Sequence, residues 1–215
     1  MTADSSIVYV VDDDPAMRAS LESLLRSVGH DVLCFETAPA FAAAPRPDRP
    51  GCLVLDVRLP GLSGLEFQRE LGRSAHPLPI VFVTGHGDVP MSVAAMKAGA
   101  VEFLTKPFRD QDLLDGVHRA IALNRQDRAR AAALAELQGR VATMTPRERE
   151  ILPLVAAGQM NKQIAQALGL SEVTIKVHRA QVMHKLRATS LADLVRIADR
   201  LALDGSGNRQ GDTRV

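Results

Sequence analysis

Five polar side chains of the N-terminal half stand at the ends of short apolar runs, and their types suit phosphoryl chemistry beside a metal ion. Clustered carboxylates repel one another unless a cation lies between them, and Mg²⁺ is a hard ion that prefers oxygen ligands. Beside such an ion a carboxylate can attack a phosphoryl group as a nucleophile, while an amine and a hydroxyl hold the new phosphoryl oxygens. The five residues are Asp12, Asp13, Asp56, Thr84 and Lys106.

The apolar runs that position these residues alternate with helical stretches. Continuous apolar strands between helices indicate a parallel sheet that is covered on both faces. Function in open α/β sheets lies at the carboxyl ends of the strands, so we expect the three acids, the hydroxyl and the amine to meet at one edge. The predicted strands are 7–11, 31–35, 52–55, 79–83 and 100–104, and the predicted helices are 15–28, 64–72, 89–98 and a stretch from 110 onward.

The C-terminal part has the pattern of four short helices. Thr145, Pro146 and Glu148 form a capping-box pattern that begins the first, and Gly158 ends it. Further helices are predicted at 161–168, 172–186 and 190–203, with a tight turn at 169–171 between the second and the third. This arrangement indicates an all-α unit built around a helix-turn-helix.

The predicted helix 172–186 has an unusual outward face. At 100° per residue, Ile175, Val182 and Leu186 lie on one line and form the core face. A mixture of valine, alanine and cations on the opposite face suits the major groove of DNA, where apolar groups meet thymine methyls and cations meet guanine edges or phosphates. The alternative is a plain helical bundle that packs this face against a partner helix. The outward face carries Val173, Lys176, Val177, Ala180, His184 and Arg187.

Charge and composition support two units with different partners. The chain has 215 residues, of which 24% are charged and 46% apolar, and this excludes wholesale disorder. Residues 1–123 hold 11 Lys and Arg against 16 Asp and Glu, whereas residues 124–215 hold 15 against 9, so the C-terminal part is a candidate for nucleic acid. No apolar run is long enough for a membrane span. Two cysteines give neither a disulfide framework nor a zinc site, and we expect a cytoplasmic protein.

The stretch 110–140 is predicted to be a long helix that continues from the first unit as a linker. Its apolar residues Leu123, Leu134, Leu137 and Val141 leave two possibilities open. They form a coiled-coil-like stripe, or the helix packs on its own domain. The tail 204–215 is rich in Gly, Asn, Asp and Arg and is expected to be disordered.

The first half resembles the receiver domain of two-component response regulators, which has a flavodoxin-like fold. The matching pieces are residues 11–13, 55–61, 83–86 and 106–108 within 5–123. The resemblance implies that Asp56 accepts a phosphoryl group from a sensor histidine kinase. It implies Mg²⁺ binding by Asp13, Asp56 and the backbone carbonyl of Arg58, with Asp12 acting through water. It further implies a cis peptide at Lys106–Pro107, a switch pair of Thr84 and Phe103, and a phosphoryl lifetime that Arg58 and His86 tune.

The second half resembles the LuxR-type helix-turn-helix domain of the NarL and FixJ groups over residues 141–203. The matching pieces are residues 145–150, 161–165, 171, 174–179 and 185–186. The resemblance implies that Lys176 and Val177 reach base edges, with Val173 on the same face. Lys162, His178, Arg179 and Lys185 are placed for phosphates, which position the protein without specifying sequence. Some relatives have lysine where this chain has Ala180, and Glu148 is expected to fix helix packing.

Together the two resemblances imply a phosphorylation-controlled transcription regulator of the FixJ-like branch. We expect a receiver at 1–123, a helical linker at 124–142, a DNA-binding domain at 143–203 and the tail. The expected partners are a sensor histidine kinase, double-stranded promoter DNA, RNA polymerase and a second copy bound around residues 88–104 after phosphorylation, with no membrane. Catalysis is confined to the receiver's own phosphoryl transfer and dephosphorylation.

Two other classes of protein were weighed against this one. An aspartate-nucleophile phosphatase needs Asp-x-Asp followed by x-Thr or x-Val, whereas Pro15 and Ala16 follow Asp14 here, and the chain has no cap domain. An autoinducer receptor needs a pocket lined by several aromatic residues, and aromatic residues make up only 3% of this chain.

Overall fold

A computed structural model of the chain describes residues 6–73, 77–85 and 87–207, with side chains up to residue 201. The chain divides into two compact units, residues 1–128 and 129–215. Within the described ranges no helix is both long and apolar enough to cross a membrane.

The first unit is a five-stranded parallel sheet with strand order β2-β1-β3-β4-β5, and the α/β prediction is confirmed. The strands are β1 (Ile7–Val11), β2 (Asp31–Phe35), β3 (Gly51–Leu55), β4 (Ile80–Thr84) and β5 (Glu102–Thr105). The helices between them are α1 (Pro15–Ser27), α2 (Ala38–Ala43), α3 (Gly64–Leu71) and α4 (Val89–Lys97), and α5 (Asp110–Ala142) follows β5.

Helices cover both faces of this sheet, which explains the continuous apolar strands. Every residue of β1, β3 and β4 is buried. Because side chains alternate along a strand, Tyr9 belongs to the core shared with α2, α3 and α4, whereas Val10 belongs to the core shared with α1 and α5. The three central strands are therefore held from both sides, and their carboxyl ends are fixed relative to one another.

Helix α2 is the element that the sequence analysis missed. It has only six residues, and Phe41 is its one large buried side chain. Its N-terminus is capped by Thr37, whose Oγ1 accepts a hydrogen bond of 3.3 Å from the Ala40 amide. A helix this short has too few apolar positions to display a 3.6-residue period.

Helix α5 divides its contacts between the two units. In the first unit, Asn124 Oδ1 accepts a hydrogen bond of 3.1 Å from the Gly51 amide. In the second unit, Leu137 is buried in the helical core and Val141 packs against it. Leu123 is 45% exposed. Leu137 and Val141 thus pack in the core of the second unit, not on the unit from which the helix continues.

The second unit consists of the end of α5 and four short helices around one apolar core. Thr145 and Glu148 form the predicted capping box, with hydrogen bonds of 2.8 Å and 3.3 Å between each side chain and the other's amide. Gly169 ends a helix with φ +65°, which glycine adopts without strain. The helices are α6 (Pro146–Ala156), α7 (Asn161–Leu168), α8 (Glu172–Leu186) and α9 (Leu191–Gly207).

Helix α9 continues beyond the predicted end at residue 203. It includes residues 204–207, which the sequence analysis assigned to the tail. The remaining tail residues, 208–215, lie outside the described part of the chain.

An ion pair joins α8 to the N-terminus of α6. The Glu148 side chain is 5% exposed, and its Oε2 accepts a hydrogen bond of 2.6 Å from Lys185 Nζ. Lys185 also donates to the Thr143 carbonyl at 3.0 Å. The bond from Lys185 is the main reason that the pKa of Glu148 lies below its ordinary value, although burial opposes this. The Glu148 carboxylate is thus held in its charged form.

We predict that Lys185→Met destabilises this unit by about 2 kcal/mol, because it leaves a buried carboxylate without its cation. The pKa of Glu148 is lower in the folded chain. The stability that the charged carboxylate contributes is therefore complete above the unfolded-state pKa of about 4.3. It is lost as the pH falls through the pKa of the folded state. Amide hydrogen exchange in α6 and α8 measures both effects.

Two variants control this prediction. Lys176→Met removes an exposed lysine of the same helix and leaves amide exchange unchanged. Glu148→Gln abolishes the part of the acid sensitivity that comes from this carboxyl group. Equal exchange in Lys185→Met and Lys176→Met contradicts the assigned role.

Candidate functional site

Four of the five predicted residues stand at the carboxyl ends of neighbouring strands. Asp12 directly follows β1 and Asp56 directly follows β3. The parallel register pairs Val11 with Leu55, and the Asp56 amide donates to the Val11 carbonyl at 2.9 Å. Thr84 ends β4, and Lys106 directly follows β5.

Lys106 joins two buried carboxylates. Its Nζ donates hydrogen bonds to Asp12 Oδ2 at 2.7 Å and to Asp56 Oδ2 at 2.9 Å. Asp12 is 1% exposed and Asp56 is 7% exposed. Burial raises the pKa of Asp12, against the hydrogen bond from Lys106. Burial acts to lower the pKa of Lys106, but the bonds to the two carboxylates leave that pKa above its ordinary value, so the lysine stays charged.

Backbone amides hold the second oxygen of each carboxylate. Asp12 Oδ1 accepts from the Asp14 amide at 2.9 Å, and Asp56 Oδ1 accepts from the Arg58 amide at 3.0 Å. Arg18, which the sequence analysis missed, donates from Nη1 to the Asp12 carbonyl at 2.5 Å. Its position one helical turn after Asp14, the N-cap of α1, was the available signal.

The donor set fits Mg²⁺. One carboxylate oxygen from each of Asp12, Asp13 and Asp56 lies within 4.8 Å of the other two, with Asp13 exposed. All three donors are oxygen atoms, and Mg²⁺ binds through carboxylates while keeping several waters. The structure therefore brings the predicted carboxylate ligands together, whereas ligation by the Arg58 carbonyl stays a prediction.

The predicted switch residues lie on adjacent strands. Thr84 is fully buried, and its carbonyl accepts a hydrogen bond of 2.8 Å from the Lys106 amide. Phe103 is half-buried, with its ring centroid 6.0 Å from that of Phe82. A Cβ on Gly87 would come within 2.8 Å of the Phe103 ring, so this glycine makes room for the ring, a role that the sequence analysis missed. His86 lies outside the described residues, and the cis peptide at Lys106–Pro107 is confirmed.

The predicted DNA-contacting residues fall into two groups. The first is exposed to solvent, and its valines Val173 and Val177 are 73% and 55% exposed. The second is half-buried, and two of its members make contacts inside the unit: Arg179 donates to Asn161 Oδ1 at 3.2 Å, and Lys185 pairs with Glu148. The exposed group is Lys162, Val173, Lys176 and Val177, and the half-buried residues are His178, Arg179 and Lys185.

The α8 helix presents its exposed group to solvent as one surface. Ser171 caps the helix, and its Oγ accepts from the Thr174 amide at 3.1 Å. Ile175, Val182 and Leu186 are fully buried, as the helical pattern predicts. Since residues three and four apart lie on one face, Val173, Lys176, Val177 and Ala180 form a single exposed surface.

Comparisons with known proteins agree with both units. The family model described as response regulator receiver domain matches residues 8–118, and the model described as bacterial regulatory proteins, luxR family, matches residues 142–198. Nodulation protein W of Bradyrhizobium diazoefficiens is 51% identical over 98% of this chain and 92% of its own.

Two solved structures are similar over almost the whole chain. The response regulator StyR is 47% identical with a TM-score of 0.79, covering 91% of this chain and 99% of its own. Full-length FixJ from B. japonicum is 44% identical with a TM-score of 0.56, covering 93% of this chain and 98% of its own.

We predict that Asp12→Asn and Asp13→Asn each lower the affinity for Mg²⁺ about tenfold or more, because each removes a charged oxygen donor. Isothermal titration of the full chain with Mg²⁺ measures the affinity. Asp14→Asn is the matched control, since Asp14 caps α1 and asparagine caps a helix equally well. An equal loss of affinity in all three variants contradicts the assigned ligand set.

Proposed function

Since the chain belongs to the two-component response regulators with a LuxR-type DNA-binding domain, we propose that phosphorylation of Asp56 by a histidine kinase promotes its dimerisation and its binding to promoter DNA. The observation that carries this proposal is the contact of Lys106 Nζ with both Asp12 and Asp56. A charged lysine on the acceptor carboxylate stands ready to receive a phosphoryl oxygen. The only catalysis is the receiver's own phosphoryl transfer and dephosphorylation.

In the proposed transfer, a carboxylate oxygen of Asp56 attacks the phosphorus of a phosphohistidine. The O–P bond forms as the P–N bond breaks, and the imidazole nitrogen leaves. Asp13, Asp56 and the Arg58 carbonyl would hold Mg²⁺, with Asp12 acting through water, and the ion would supply positive charge to the phosphoryl oxygens. Lys106 exchanges its bond to Asp56 for a bond to a phosphoryl oxygen, and water later removes the group at a rate that Arg58 and His86 tune.

We propose that the switch begins at Thr84 and passes to β5 and α4. The Thr84 hydroxyl moves towards the phosphoryl group and donates a hydrogen bond to it. Phe103, on the neighbouring strand, then turns inward into the vacated space. Ala95 is the one buried residue recorded for α4, so this helix is weakly anchored and suits a shift.

The exposed surface of α4 supports a second copy of the chain as the partner. Val89, Val93 and Met96 are 75%, 45% and 45% exposed, and their spacing places them on one stripe. A contiguous apolar stripe on a soluble domain is typical of an interaction surface. This stripe lies in the segment 88–104 for which the resemblance implies dimerisation.

In a dimer, the two α8 helices would read two half-sites that lie one helical turn apart on DNA. Lys176 and Val177 meet base edges, Val173 lies beside them, and Lys162, His178 and Arg179 contact phosphates. Lys185 donates to Glu148 and to the Thr143 carbonyl, and its third N–H is left for a phosphate, so we assign it both to holding α8 on α6 and to a phosphate contact. RNA polymerase is the partner expected at the promoter.

We predict that beryllofluoride with Mg²⁺, a mimic of the phosphoryl group, converts the wild type from monomer to dimer and leaves Asp56→Asn monomeric. Val93→Asp weakens the dimer by an order of magnitude or more, because it buries an unpaired charge in the interface. Sedimentation velocity measures the mass.

Val28→Asp is the matched control for this experiment. Val28 lies at the end of α1 with a similar exposure of 43%, so its replacement leaves dimerisation unchanged. A dimer that forms equally well with Val93→Asp contradicts the assigned surface, and a dimer with beryllofluoride-treated Asp56→Asn contradicts the assigned acceptor.

We predict different losses from the two kinds of DNA contact. Lys176→Ala and Val177→Ala each reduce the free energy of DNA binding by about 1–3 kcal/mol and relax the base preference at one base pair. Lys162→Ala weakens binding to all sequences alike and lowers the slope of log affinity against log salt concentration by about one. Fluorescence anisotropy on DNA with single base changes at several salt concentrations measures both. Arg69→Ala removes an exposed arginine of α3 and changes neither the affinity for DNA nor the base preference. If Lys176→Ala, Val177→Ala and Lys162→Ala all weaken binding to every sequence equally, the assignment is contradicted.

A further inference from the structure

The first unit contains a cavity, lined in part by arginines, that shares no residue with the acidic pocket. Its volume is about 390 Å³, which lies in the usual range for small-molecule sites. The connection between α2 and β3 forms one wall, with Arg46, Pro47 and Arg49. Asp48 belongs to the same connection, and Tyr9 of β1, Leu78, which precedes β4, and Arg128 of α5 form the rest.

The charge of this cavity is positive although the unit as a whole is acidic. Three arginines line it against a single aspartate. Arg128 pairs with Asp48, whose side chain is 97% exposed, and Arg49 pairs with Asp31 outside the cavity. The Arg46 guanidinium lies 5.8 Å from the centre of the Phe41 ring and has no acidic partner among the described residues.

Tyr9 lines the same cavity and carries a hydroxyl. The residue is 1% exposed, with its ring centroid 5.3 Å from that of Phe41. Its hydroxyl makes no hydrogen bond with any residue in the described part of the chain and is not among the fully enclosed polar atoms, so it is open to the cavity that the residue lines. Burial raises the pKa of Tyr9 and keeps it a donor, against the opposing charges of Arg46 and Arg49.

We propose that this cavity binds a small organic anion. Its carboxylate or phosphate group accepts hydrogen bonds from the Tyr9 hydroxyl and the Arg46 guanidinium, and its apolar part packs against Leu78 and Pro47. A donor hydroxyl beside guanidinium groups is complementary to an acceptor that carries negative charge, and arginine forks match planar oxyanions.

The site lies where α5 leaves the first unit. Arg128 lines the cavity from α5, and its partner Asp48 belongs to the opposite wall. An anion that contacts Arg128 would slow the local opening of this part of α5. Amide exchange around residue 128 therefore reports occupancy independently of the heat of binding.

The test titrates the full chain with benzoate and phenyl phosphate, and with benzyl alcohol and inorganic phosphate as comparisons. We expect at least one of the two organic anions to bind once per chain and to slow amide exchange around residue 128. Benzyl alcohol lacks the charge and inorganic phosphate lacks the apolar part, so each binds about tenfold more weakly. The organic anion that binds more tightly identifies the oxyanion that the site prefers.

Three variants locate the binding. Tyr9→Phe removes only the hydroxyl and Arg46→Gln only the charge, and each weakens binding about tenfold. Arg69→Gln, an exposed arginine outside the cavity, binds like the wild type, and an unchanged Mg²⁺ affinity shows that each variant is folded. The proposal is overturned by the absence of saturable binding up to about 10 mM, by wild-type binding in Tyr9→Phe and Arg46→Gln, or by inorganic phosphate that binds as tightly as the organic anions.

Discussion

The contact of one lysine with two buried carboxylates is the interaction on which the first unit depends. Asp12 and Asp56 lie side by side at the ends of β1 and β3, away from bulk water, and their mutual repulsion is relieved by Lys106 from the end of β5. This arrangement is possible only if the strands are parallel and end at one edge. Burial of β1 and β3 on both faces holds that edge in place, so the sheet and the site are one structure.

The same principle of paired charges appears in the second unit with a different outcome. Glu148 and Lys185 fix α6 to α8, and the rest of α8 is anchored by Ile175, Val182 and Leu186. The opposite face of α8 exposes Val173 and Val177 to solvent. The first unit thus places a half-buried cation between two buried carboxylates, and the second uses a buried anion to hold α8 with its outer face exposed.

The sequence predicted most of this organisation because its patterns were unambiguous. The β1 run is bounded by the acidic residues that follow it, and capping residues mark the starts of α1, α6 and α8. The missing α2 was too short to show a period. The packing of Leu137 could not be foreseen, because a coiled-coil stripe and a core-facing stripe have the same spacing. Contacts between residues distant in the chain could not be predicted, because they leave no local pattern in the sequence. Examples are Lys185 with Glu148, Gly87 with Phe103, and Tyr9 with the arginines around it.

In the proposed function, the acidic pocket of the first unit controls DNA binding by the second. The most direct test is the affinity of the full chain for an inverted-repeat DNA, selected from random sequence, with and without beryllofluoride and Mg²⁺. The account predicts that affinity rises at least tenfold for the wild type and stays constant for Asp56→Asn, since DNA binding gains from dimerisation. An affinity that beryllofluoride leaves unchanged in the wild type, with DNA still bound, would contradict it.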